Sequence, residues 1–516
     1  MVDWGYITTP QDTKGAYGGE IHYARGKCLG GSSARNYMAY QRGTKASYQR
    51  WADITGDQSY TFENLLPYFE KAIKFTPPDN DLRFANGTPE YDITVLGDGS
   101  GPVSVTYSHY VQAFGTWATK GLEAIGLPIV PGFQSGNLSG QSYCMFTINA
   151  TTMIRDSSET SFLRRVLGYP NYKVYPLTLA KQILFDENKK ATGVIVDTQG
   201  LKYSLSATKE VIVSAGVFGS PQLLMASRVG PVATLQQLGI PIVADKPGVG
   251  QNMQDHIYFG PSYRVNGITF SSLADVNIAA EAAKQYNENA TGLYTNPTTD
   301  VLAWEKIPKP LRSTFSNKTL AKLATFPDDW PEAEYLSLGA YLGLQENLAT
   351  GDPHDGYNYA SLAFALCTPL SRGNLTITSA DTAVSPSINP NWLTDRADIE
   401  VSIAGFKRIR EFWKSEAMAP FIIGEEAFPG PDVQTDAQIE DFIRKGFNTI
   451  YHAACTCKMG PSNDIMSVVD THAKVIGVQG LRVIDASAFP ALPPGHPQST
   501  VYAFAEKLAC DVSGAC

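Results

Sequence analysis

The segment Lys209–Ser227, KEVIVSAGVFGSPQLLMAS, constrains the fold more than any other stretch of this chain. KEVIVSAG reads as a buried strand that ends in glycine. SPQLLMAS then opens a helix, with Ser220 as N-cap and Pro221 in the first turn. A strand that runs through glycine into a helix is the repeating unit of an α/β sheet. The same turn brings a helix N-terminus to a strand end, which suits an anionic or electron-rich group, or simply caps a helix. LRVIDAS, Leu481–Ser487, is a second buried strand ending in a polar turn.

Other elements surround this unit. Residues 172–214 read as a β-meander: YKVYPLTLAKQILF, a turn at Asp186-Glu187-Asn188, then GVIVDT and YSLSAT. TFENLLPYFEKAIKF (61–75) sets Leu65, Tyr68, Phe69 and Ile73 near one helical face. Strand signals weaken over 262–345, where a helix is expected at 277–286. YLSLGAYLGL, YASLAFALC and GNLTITS then supply strands for one antiparallel sheet. Residues 397–413 form an amphipathic helix with Ile399, Ile403, Phe406, Ile409 and Trp413 inward. No internal repeat or low-complexity linker separates these parts, so the domains are interleaved.

Composition narrows the function. The 516 residues suggest about three structural units, 43% of them are hydrophobic and 18% charged, and disorder is excluded. A net charge of −9 argues against nucleic acid and anionic membrane surfaces as partners, and no apolar run reaches the length of a membrane span. The seven cysteines are too few for a disulfide scaffold; Cys510 and Cys516 either close a small loop or stay free. Sequons at Asn86, Asn137, Asn149, Asn289, Asn317 and Asn374 favour a glycosylated protein of the secretory pathway or the cell exterior. Met1-Val-Asp-Trp is no signal peptide, so residues are expected in front of it, and a cytoplasmic location stays open.

Three segments carry chemistry. GKCLGGSSARN places Gly30 and Gly31 in a turn that a ligand can approach closely, with Ser32, Ser33 and Asn36 as polar groups. A plain surface loop would read the same. The strand–glycine–helix segment at 214–231 is the second. The third is the C-terminal stretch, with His452 in YHAACTCKMG and His496 in PPGHPQST, both in loops beside a buried strand. Histidine is the natural acid/base group near neutral pH. His452, Cys455 and Cys457 do not have a standard zinc spacing, so no metal is expected. No G-x-S-x-G elbow supports a serine hydrolase.

Taken together, these segments resemble the glucose–methanol–choline (GMC) oxidoreductase family of flavoenzymes, in its fungal secondary-metabolite branch. RGKCLGGSSARNYMAYQRG resembles the first family signature and SAGVFGSPQLLMASRVGP the second. KPGVGQNMQDH (Lys246 to His256) matches the motif that follows it, and the Tyr451–Lys507 region matches the catalytic end, so the likeness runs from about residue 4 to 509. It implies an α/β (α+β) architecture: a Rossmann-like FAD-binding domain interleaved with an antiparallel-sheet substrate domain. Residues 1–260 would form the N-terminal FAD region, 261–425 mainly the substrate domain, and 426–516 the part that completes the FAD domain.

The resemblance also implies roles. Gly30, Gly31, Ser32, Ser33 and Asn36 would lie along the flavin and its pyrophosphate, and Ala180 would meet the adenine through its backbone. Asp485 and Ala486 would contact the ribityl–pyrophosphate region, with Pro497 close to the flavin ring. His452 would be the general base and His496 would orient and polarise the same oxygen. Ala34 stands near the point where some members attach flavin through histidine, so FAD would be non-covalent. The substrate would be a small aromatic or polyketide-like alcohol, with oxygen or another electron acceptor as second partner. The alternatives are a non-redox acid/base cyclase or dehydratase, or an inactive remnant. Arg35, Arg228, Val217 and Cys455 depart from the family pattern; Arg35 would retune the site, meet an acidic substrate group or face solvent. The G-x-G-x-x-G fingerprint is not found: GDGSG (97–101) lacks flanking strand and helix, and PGVGQN (247–252) belongs to the later motif. The first βαβ unit is therefore expected to be absent.

Overall fold

The computed structural model describes residues 2–11, 19–344 and 351–515. Met1 and Cys516, on which two expectations rest, lie outside them. Strand Val211–Val213 pairs in parallel with Leu481–Val483, so the two strands read from sequence close one sheet across most of the chain. Leu481, Arg482 and Val483 are buried, as expected. Val213 is buried too, but Ile212 is 43% exposed. A continuous apolar run shows that a strand is apolar, not how many of its faces are covered.

The helix after this strand begins earlier than expected. It spans Gly216–Ala226 with Ala215 as N-cap, so Ser220 and Pro221 lie inside it. Ser220 acts across the fold instead: its hydroxyl accepts from Ala215 N at 3.0 Å and donates to Asp485 Oδ2 at 2.5 Å. Pro221 has no N–H to give the Val217 carbonyl one turn back. The Thr456 hydroxyl takes that carbonyl at 2.7 Å, so the interior proline leaves no acceptor unpaired.

The meander is present as strands Thr178–Phe185, Ala191–Thr198 and Leu201–Ser206, all antiparallel. The helix expected over 61–75 stops at Lys71. Ile73–Phe75 is instead a strand parallel to Val103–Val105, where β-branched Ile73 packs better than in a helical turn. Leu65 and Phe69 are buried on that helix.

The antiparallel sheet has eight strands and draws on all three spans of the chain. In order it runs Ile422–Phe428, Ser262–Val265, Asn358–Leu366, Ala333–Leu338, Thr299–Glu305 and Gly140–Tyr143, with Ile257–Phe259 and Asn448–Thr449 attached at one side. Two of these strands, Ser262–Val265 and Thr299–Glu305, fall where strand signals had weakened. The second is buried almost throughout and therefore shows no alternation. Among the described residues GNLTITS does not join this sheet; Asn374–Thr376 pairs with Ser387–Asn389.

Helix Arg396–Trp413 covers one sheet face with the five predicted residues buried. Gly405 lets it approach: a Cβ there would lie 2.2 Å from the Phe364 ring. Because side chains alternate along a strand, Glu334, Leu336 and Leu338 turn to the opposite face. Leu336 and Leu338 pack there with Trp304, Ala365 and Cys367. That face carries the site. Cys510 is disulfide-bonded, and Cys28, Cys144, Cys367, Cys455 and Cys457 are free. Among the described residues no helix is long and apolar enough to cross a membrane.

Candidate active site

His452 and His496 come together. Their ring centroids are 4.9 Å apart and nearly perpendicular. Each ring is held from behind. The His452 backbone N–H donates to Asp255 Oδ1 at 2.9 Å, and the His496 backbone N–H donates to Gln41 Oε1 at 3.0 Å. On the far side of His452 stands a third imidazole. His256 Nδ1 lies 3.1 Å from His452 Nδ1, with the rings at 81°.

Asp255 fixes this cluster. Its Oδ2 accepts from the hydroxyls of Tyr23 (2.8 Å) and Thr449 (2.7 Å) and from the Trp392 indole (3.2 Å). Its Oδ1 accepts the backbone N–H groups of His256 and His452. Burial raises its carboxyl to about 6 against the pull of these donors. Burial also dominates both imidazoles behind it. His256 is lowered to about 3, by burial and then by His496. His452 is held well below the usual histidine range, by burial first and then by His496, His256 and Arg25. Both rings are therefore neutral near pH 7.

A pair of neutral imidazoles 3.1 Å apart shares one N–H, so one Nδ1 donates and the other accepts. If His452 is the donor, its Nε2 carries a lone pair and can take a proton. The partner His256 Nε2 is buried with no hydrogen-bond partner among the described residues.

His496 faces a carboxylate. Its Nε2 is 2.8 Å from Glu334 Oε1. That approach is close but off the hydrogen-bond axis, and neither Glu334 oxygen has a hydrogen bond among the described residues. Glu334 is fully buried.

The predicted flavin loop reaches the histidines through one contact. Gly30 and Gly31 have φ of 87° and 52° and start the short helix Gly31–Ala34. A Cβ at Gly31 would meet nothing within 4 Å, and Ser32 is exposed, so this face of the loop is open to a ligand. The Ser33 hydroxyl is turned inward, donating to Gly30 O and accepting from Ser158 N. Asn36 Nδ2 donates to Gln498 Oε1, next to Pro497 and two residues from His496. Arg155 Nη1 donates to Asn36 Oδ1 at 2.8 Å and fixes the amide.

The remaining predicted residues sit apart. The Asp485 carboxylate accepts from Gly216 N, the Ser220 hydroxyl and Ser487 N, so both oxygens serve the turn that joins the two parallel strands to the helix. The Ala486 carbonyl accepts from Cys455 N. Ala180 lies in the meander, where its carbonyl accepts from the Thr382 hydroxyl at 2.7 Å. Of its three expected roles Arg35 takes the last: it is exposed to solvent, with its Nη1 2.8 Å from Asp3 Oδ2. Arg228 and Cys455, both at positions where the resemblance expects glycine, have φ of 77° and 71°. The backbone keeps the glycine conformation with a different side chain.

Asp255, His256 and Glu334 were not singled out from sequence. Asp255 and His256 end the motif KPGVGQNMQDH, and an acid–histidine pair at a motif's end was the available signal. Glu334 had none, since it sits in a strand that only the sheet turns toward His496.

Residues 10–258 and 369–505 match the N- and C-terminal models of the GMC oxidoreductases, which together cover more than half of the chain. The chain belongs to the GMC oxidoreductase family. It is an FAD-dependent enzyme of the alcohol oxidase/dehydrogenase kind. It is 64% identical to patulin synthase from Aspergillus clavatus over 516 residues, covering 100% of this chain and 82% of that protein. To versicolorin B synthase from Aspergillus parasiticus it is 43% identical, covering 99% and 78%. Among solved structures, an FAD-dependent oxidoreductase from Chaetomium thermophilum superposes with a TM-score of 0.88 at 28% identity, covering 100% of this chain and 91% of that one. A formate oxidase does so with 0.88 at 27%, covering 99% and 88%.

Proposed function

We propose that this enzyme oxidises a hydroxyl group on a small aromatic or polyketide-like metabolite, within a secondary-metabolite pathway. The observation that carries this reading is the pair of buried His452 and half-buried His496, ring centroids 4.9 Å apart, with Asn36 bonded to Gln498 beside them. The relatives named patulin synthase and versicolorin B synthase support the substrate class.

FAD is held in this reading by the open Gly30–Gly31 turn with Ser32, Ser33 and Asn36, by Asp485, Ala486 and Pro497, and by the Ala180 backbone. When bound, FAD supplies the two-electron acceptor for the hydride that leaves the substrate carbon. The chain supplies position and proton transfer. His452, neutral and with no hydrogen bond to Nε2 among the described residues, takes the hydroxyl proton. His256 accepts the His452 Nδ1–H and so fixes the tautomer that leaves Nε2 basic. His496, its Nε2 facing Glu334, orients and polarises the same substrate oxygen.

The test is substrate-dependent bleaching of the flavin absorbance. It is expected in the wild type and lost in His452→Ala, with the bound flavin retained. Turnover without oxygen or any other acceptor would instead favour acid/base cyclisation on the same residues.

A further inference from the structure

A cleft of about 210 Å³ lies one loop away from the histidines, and none of the three lines it. Its polar wall is Arg50, Arg372, Lys458, Asn252 and Gln254, with no Asp or Glu among the lining residues. In a chain of net charge −9 this is a local reversal of sign. Lys458 is paired, 2.7 Å from Asp464. Among the described residues, neither Arg50 nor Arg372 has a carboxylate within 4 Å.

The two guanidinium groups are held but not saturated. Arg50 stacks over Phe326 and Trp330, at 4.9 and 5.6 Å from the ring centroids, and gives one long hydrogen bond to Thr325 O. Arg372 spends one nitrogen on the carbonyls of Pro369 and Ser371. Their other nitrogens have no hydrogen-bond partner among the described residues. Burial pushes both groups down, and Arg372 pushes Arg50 down further, as expected of like charges facing each other. Gln254 adds a donor: its Oε1 is taken by Leu492 N, and its amide N–H groups have no hydrogen-bond partner among the described residues.

We propose that this cleft binds the oxyanion group of a small molecule, a carboxylate or a phosphate, between Arg50 and Arg372, separately from the alcohol site. Planar guanidinium donors match either oxyanion in a two-point contact, and partial burial strengthens the charge-assisted bonds. Phe326 and Trp330 give the ligand an apolar wall. Gln254 is two residues from His256 and Leu492 is four from His496, so the cleft and the histidines share two chain segments.

The test is calorimetric titration of the flavin-loaded full chain with inorganic phosphate and, separately, with succinate. Saturable binding of at least one is expected, weakened tenfold or more in Arg50→Gln and in Arg372→Gln and unchanged in His452→Ala. The ligand that saturates at the lower concentration identifies the source as phosphate or carboxylate. Arg50→Lys, which keeps the charge and loses the fork, is expected to fall between. If Arg372→Gln does not fold, Arg50→Gln decides alone. Non-saturable binding, binding insensitive to Arg50→Gln, or displacement of the anion by added ADP in step with loss of flavin would overturn the proposal.

Discussion

His256 Nδ1 stands 3.1 Å from His452 Nδ1, and both rings are buried and neutral. One proton between two nitrogens gives His452 a choice of tautomer. Only one choice leaves its Nε2 able to act as a base. The consequences are measurable.

The first is in the pH–rate profile. His452 is held well below 6.5 by burial and by its neighbours, so the acid limb of kcat/KM is expected well below pH 6.5. His256 is one of those neighbours. His256→Gln removes its effect, and the limb is expected to move upward toward 6.5 with KM little changed. An unshifted profile would separate His256 from the chemistry.

The second is in stability. Folded His256 titrates at about 3 and an unfolded histidine at about 6.5, so between these values the unfolded chain binds the extra proton. Stability from this group is complete above pH 6.5 and is lost as pH falls. Asp255 acts in the opposite sense: its folded value of about 6 exceeds the ordinary 3.8, so its contribution is lost as pH rises through that window. His256→Gln removes only the first effect. Between pH 7 and 5 the variant is expected to lose roughly 2 kcal/mol less unfolding free energy than the wild type. Urea titrations at the two pH values measure it.

Glu334→Gln tests the carboxylate beside His496. It keeps the volume and replaces the carboxylate that faces His496 Nε2 at 2.8 Å. If this carboxylate positions His496 for the reaction, kcat is expected to fall roughly tenfold, about 1.4 kcal/mol. The flavin spectrum and KM are expected to stay close to wild type. An unchanged kcat would make Glu334 a structural group only.

Arg228→Gly tests the backbone. Arg228 follows the C-cap of helix Gly216–Ala226 with φ of 77°, the conformation that glycine adopts without a side-chain penalty. Its side chain gives one long bond, to Pro241 O at 3.4 Å. Glycine is expected to raise unfolding free energy by about 1 kcal/mol. Chemical denaturation at pH 7 checks the sign.

Much of this protein was readable as sequence because the signals were local. Strand Leu481–Val483, the meander from Thr178 to Ser206 and helix Arg396–Trp413 follow from runs and periods of apolar residues. His452, His496 and the Gly30–Asn36 loop stand out because each lies in a short motif of distinctive residues. Other features were hidden by context. The Gly216 helix start was missed because Ser220 and Pro221 look like an N-terminus until Asp485 and Thr456 supply their partners. Strand Thr299–Glu305 was missed because burial on both faces erases alternation.

The sequence by itself determined which residue types gather in which order: the paired histidines, the glycine turn and the alternation that selects a sheet. Only the tertiary structure decided which of them meet. Sheet pairing turns Glu334 toward His496, a cross-chain hydrogen bond links Asn36 to Gln498, and the Asp255 clamp sets His256 behind His452. These are contacts between segments far apart in the chain. Their strength comes from burial, which a linear sequence does not show and which a closed core imposes on every polar group inside it.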